Sequence, residues 1–204
     1  MAINELDGKV ASVWQGLRPV TQQMLVRAMQ SSRTAPVSSP NPKYAYDAHA
    51  DWELSRLLSA VDEESTQARK DKEKLSELNA LADTCVRVLE AQSASAEVFI
   101  QLAARAIREN DYNRLDRLAD RLAERYSASE IAEIVRQTEM PQIRAIAYET
   151  LAMMPLQALI PLLDDPLYSG IGAAALEQKA FEFDSDDARE ILDQFDSEGE
   201  PRSE

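Results

Sequence analysis

The chain has 204 residues, 45% apolar and 28% charged, enough to bury a core without disulfide or metal support. Five Gly argue against sandwiches, barrels and phosphate-loop folds, and one His and one Cys are too few for most catalytic or metal constellations. The net charge of −14 disfavours nucleic acid and anionic membranes and leaves basic or neutral protein surfaces as partners.

The amino-terminal MAINELDGKV lacks a basic start followed by an apolar run, so no signal peptide is expected, and the lone Cys85 fits a reducing, cytoplasmic setting. Residues 1–32 read as a hairpin of two short helices. Leu6, Val10, Val13 and Leu17 form one helical stripe, Gly16 and Pro19 punctuate, and Val20, Met24 and Ala28 form a second row with Leu25 and Met29 beside it. Residues 33–49 hold three prolines and read as an extended linker.

From Ala50 to Ser93 there is neither Gly nor Pro. Trp52, Leu54, Leu57, Leu58 and Val61 make one apolar stripe, a polar block follows, and Leu75, Leu78, Ala82, Cys85 and Leu89 repeat at 3-4-3-4 spacing. Two helices or one bent helix are expected, with Glu63, Glu64 and Ser65 as a possible stop. Two heptads are short for a coiled coil, so the 75–89 stripe is expected to pack within its own domain, with self-association through it as the alternative. The next segments alternate apolar-periodic runs with polar breaks, and Ser129 is a candidate N-cap. The stretch Ala152–Leu163 is too short to span a bilayer.

The last two hairpins superpose at an offset of 25. Ile131, Ile134, Val135, Pro141, Ile146 and Leu151 match Leu156, Leu159, Ile160, Pro166, Ile171 and Leu176. A hairpin with apolar faces on both helices needs stacked neighbours to bury them. ALIPLLDDP followed by an alanine-rich helix resembles a HEAT repeat, most clearly over 129–183 and more weakly back to 96. The preceding unit keeps Ile143-Arg144 at the start of its second helix, whereas Tyr168-Ser169-Gly170 departs from that pattern. The resemblance implies an all-α fold of stacked helical hairpins, an α-solenoid with an amino-terminal helical extension, used for protein recognition. The expected divisions are 1–32, 33–49, 50–183 and an acidic tail, 184–204. The tail is expected to be solvated and dispensable for folding, although Ile191, Leu192 and Phe195 allow a short helix that caps the last hairpin or docks on a partner.

Few groups point to chemistry. His49 and Glu53 would share a helix face as a two-ligand metal edge, but no second His completes it, and a plain helix start is the favoured reading. Cys85 lies on a core stripe. Asp184, Asp186, Asp187 and Glu190 lack the spacing of a calcium loop. Arg114, Arg117, Arg121 and Arg125 line one helix face and are expected to pair with Asp116, Asp120 and Glu124. No catalytic residue, cofactor or metal is assigned. The expected function is a non-catalytic protein-interaction module, with Tyr44, Tyr46, Trp52 and Tyr112 as candidate partner-binding residues. The alternative is a helical enzyme or cofactor-binding domain with a pocket between helices.

Overall fold

A computed structural model describes residues 8–30, 46–68 and 70–199, and among them every regular element is a helix. The chain divides into two compact units at Ser93–Ala94, so the helices of 50–93 group with residues 8–30 rather than with the hairpins that begin at 96.

The first unit comprises α1 (Gly8–Gly16), α2 (Pro19–Gln30), α3 (Ala48–Gln67) and α4 (Lys72–Gln92). Helices α3 and α4 form a hairpin, α1 packs on α3, and α2 packs on both α3 and α4. Each long helix opens on an aspartate: Asp47 accepts from the Ala50 amide at 2.8 Å and Asp71 from the Lys74 amide at 3.1 Å. Such caps satisfy amides that a helix start leaves open and contribute about 1 kcal/mol each. The buried row of α3 runs through Ala50, Glu53, Leu54, Leu57, Leu58 and Val61. Trp52, expected on that stripe, lies outside it because its angular position is opposite Leu54.

Two further expectations are corrected in this unit. Helix α3 does not stop at Glu63–Ser65 but continues to Gln67, because Glu63 pairs with Lys9 while Glu64 pairs with Lys74 at 2.7 Å and accepts from the Val10 amide at 3.3 Å. The polar block is therefore packed by charge against its neighbours. In α2 the buried row is Thr21, Leu25 and Ala28, whereas Val20 is exposed; the inward threonine is needed by Glu53. The stripe Leu78, Ala82, Cys85 and Leu89 is buried by this chain's own side chains, so its apolar surface is already used within the folded chain.

The second unit contains α5 (Ala96–Glu109), α6 (Tyr112–Arg125), α7 (Ala128–Gln137), α8 (Pro141–Met153), α9 (Leu156–Leu163), α10 (Ser169–Glu182) and α11 (Asp186–Gly199). Three consecutive hairpins, α5–α6, α7–α8 and α9–α10, stack in two layers. Helices α5, α7 and α9 neighbour one another in order, as do α6, α8 and α10. Asn110, at φ +56°, turns α5 into α6, and Pro141 opens α8 where its missing amide proton costs nothing. The cap of α7 is Ser127, which accepts from the Glu130 amide at 3.2 Å, rather than Ser129. The 25-residue offset holds for the second helices: Ala147 and Gly172, Thr150 and Ala175, Leu151 and Leu176 are all buried. Gly172 is needed for contact, since a Cβ there would lie 2.9 Å from the Leu162 Cβ.

The acidic carboxyl-terminal segment forms α11 on α10. Ala188 is fully buried, and Ile191, Leu192 and Phe195 are half-buried on the same stripe. Arg189 secures it, donating to the Ala180 carbonyl at 2.9 Å and pairing with Asp184 and Asp186. No single described helix is long and apolar enough to cross a membrane.

Candidate functional site

Helix α3 begins with two unlike edges. Positions 47 and 53 turn toward the α1–α2 corner, while 49, 52 and 56 turn to solvent. On the inner edge the Glu53 carboxylate, 2% exposed, accepts from the Arg18 amide at 2.7 Å, from Arg18 Nε at 3.0 Å and from the Thr21 hydroxyl. Arg18 extends its other two nitrogens to Asp47 in a bidentate pair at 2.9 and 2.7 Å. One guanidinium thus joins two carboxylates at the start of α3, the planar fork matching the carboxylate geometry.

The charges follow from this geometry. Burial pushes the Glu53 carboxyl upward, but the hydrogen bonds from Thr21 and Arg18 outweigh it and hold it below the ordinary carboxylate range. The Arg18 pair and the Ala50 amide hold Asp47 well below that range. His49 Nε2 stands 3.8 Å from Glu53. Glu53 is already committed to Arg18 and Thr21, which leaves the His49–Glu53 edge poorly arranged to ligate a metal.

On the outer edge Trp52 is 54% exposed. Its ring meets His49 edge-on, with centroids 5.6 Å apart and planes at 63°, and the Arg56 guanidinium carbon sits 5.3 Å from its centroid. Tyr46, half-buried at the same end of the helix, donates its hydroxyl to Asp51. The inner network fixes the helix start, and the flanking His and Arg restrain the indole.

The other sequence candidates are dispersed. Tyr112, 63% exposed, opens α6 in the second unit. Tyr44 falls outside the described residues. Cys85 is fully buried and burial pushes its thiol up to about 12, which disfavours the nucleophilic thiolate. The arginine face of α6 is not uniform: Arg114 is largely buried and lies near Glu109 and Asp111, at 3.8 and 3.9 Å, while Arg117 and Arg125 are exposed. Arg105 pairs with Glu109 at 2.8 Å.

Two polar sites were not anticipated. A cleft of about 290 Å³ is lined by Gly8, Lys9, Glu63, Glu64, Gln67 and Lys74, whose lysines and glutamates pair across it. In the second unit Glu133 accepts from Arg136, Gln137 and, at 2.9 Å, the Tyr168 hydroxyl. The Arg136 hydrogen bonds lead in holding its carboxyl down to about 2. Sequence spacing could have found Trp52–Arg56, an i, i+4 pair, but gives no sign of Arg18–Glu53 or Glu133–Tyr168, each 35 residues apart. Comparison with family models, curated proteins and solved structures finds no match to the chain.

Proposed function

We propose that the chain is a non-catalytic protein-interaction module of α-solenoid type whose stacked hairpins are HEAT-like. The single observation that carries this reading is Trp52, more than half exposed yet held between His49 and Arg56 over a buried ionic base. An exposed Trp beside Arg is the composition from which binding hot spots are built. Paired hairpins in two layers support the solenoid reading, because such stacks present extended surfaces. The buried Cys85, and a His49 paired with a structural carboxylate, support the absence of nucleophilic catalysis. A cytoplasmic protein partner with a basic or mixed surface fits the charge, and nucleic acid and membranes do not.

The test is affinity capture from extract of the source cells with wild type, Trp52→Ala and Tyr112→Ala. The expected result is a stoichiometric partner retained by wild type and lost with Trp52→Ala. Capture indifferent to both substitutions, or a substrate turned over by the purified chain, would contradict the reading.

A further inference from the structure

The layer α5, α7, α9 ends at α9, and its last face is apolar. At the 25-residue offset, Ile131, Ala132 and Val135 of α7 are all buried between neighbours on either side. Their counterparts in α9 are Leu156, half-buried, Gln157, exposed, and Ile160. Val135 is 2% exposed and Ile160 41%, so one repeat position is covered inside the layer and open at its end. Leu156, Ile160 and Leu163 recur at i, i+4 and i+7 along this face, and Leu167, 67% exposed, extends it into the following turn. Pro161, inside the helix, has no amide to donate to the Gln157 carbonyl. Helix α11 packs on α10; on this face Ile160 and Leu167 are exposed, and Leu156 and Leu163 are half-buried.

We propose that this face of α9 seats an amphipathic helix of a partner protein, apolar on one side and rich in Lys or Arg at its edges. Charge complementarity decides the occupant. Between Leu156 and Gly199 there are eleven acids and two bases, and both bases are engaged: Lys179 on the Ala152 and Met154 carbonyls at 2.9 and 3.0 Å, Arg189 on Ala180, Asp184 and Asp186. A second copy would bring Asp164 and Asp165 against their own kind, which opposes self-pairing. A basic helix gains the same field as attraction while covering the stripe in the way a next repeat would. This inference rests on the interaction-module reading and assigns it a second surface.

The experiment uses the full chain and a fluorescein-labelled Lys/Leu peptide of about four helical turns with leucines at i, i+3, i+4 and i+7. The controls are a sequence-scrambled Lys/Leu peptide and a Glu/Leu peptide. Fluorescence anisotropy is expected to show saturable binding of the Lys/Leu helix. Binding should weaken about tenfold or more with Ile160→Asp and several-fold with Leu167→Ser, the latter in an exposed turn where folding is not at stake. The Glu/Leu peptide should not bind. Equal binding of the scrambled peptide, or binding indifferent to both substitutions, would overturn the proposal. So would a wild-type dimer, seen by sedimentation, that Ile160→Asp makes monomeric. If Trp52→Ala abolishes capture of the native partner while the peptide ignores Ile160, the module reading stands and this face falls.

Discussion

At the scale of single residues, the most consequential group is Glu53, a buried carboxylate kept ionised by Arg18 and Thr21. Removing one member strands the others, so Glu53→Ala should destabilise the first unit by about 2–4 kcal/mol, measured by thermal or denaturant unfolding. The pH dependence has a definite sign. The folded carboxyl is depressed, so its contribution is complete above the ordinary range near 4.3 and fades as pH falls through the depressed value. The gap in melting temperature between wild type and Glu53→Gln should be widest at neutral pH and close under acid. For Glu133→Gln the same closure should fall between about 4 and about 2. A gap that widened on acidification would contradict both assignments. His49→Ala should be nearly silent in these melts, since the ring is mostly exposed and 3.8 Å from its partner.

The sequence showed His49 and Glu53 as a shared face and Trp52 as an aromatic, but not which edge was inward. That depends on Arg18 and Thr21, 35 and 32 residues away, and no local spacing encodes it. Hydrophobicity alone places Trp52 on the core stripe. The partly hidden rule is geometric: the Ala50–Leu54–Leu57–Val61 row excludes position 52 whatever residue stands there.

At the scale of helices, close packing between α9 and α10 depends on Gly172. Gly172→Ala should lower stability by about 1–2 kcal/mol despite the better helix propensity of Ala, because the added methyl meets the Leu162 Cβ, which cannot rotate away. Unchanged melting would mean that the two helices separate freely. Leu159→Asp, placing a carboxylate at a fully buried position, should unfold the last hairpin. Truncation after Phe183 should lower the melting temperature by several degrees, because α11 buries Ala188 and the stripe through Phe195 against α10. Wild-type melting in the truncated chain would reduce α11 to a passive tail.

Helix periods and breaks were the legible part: α1, α2 and the helices from α5 to α10 fall where apolar spacing and Pro or Asp punctuation put them. The continuation of α3 through Asp62–Gln67 was not legible. A polar block carries no apolar signal, and its support comes from Lys9, Val10 and Lys74 on other helices. The offset of 25 gave the register of α8 and α10 but predicted the same burial for Val135 and Ile160. It fails there because repeats are equivalent only while each has a neighbour.

At the scale of the whole molecule, the acidity is the main long-range signal. If partner contacts are chiefly electrostatic, binding should weaken between about 0.05 and 0.5 M salt as screening shortens to a few ångströms. If Trp52 dominates, salt should matter little and Trp52→Ala should matter most. The central claim is that this chain acts by presenting surfaces. The most direct measurement is amide hydrogen exchange of the full chain, free and bound to its captured partner. Added protection is expected at the start of α3, around residues 46–56, or along α9 and its turn, residues 156–167. Protection confined to the Lys9–Lys74 cleft, or to neither helix, would contradict it.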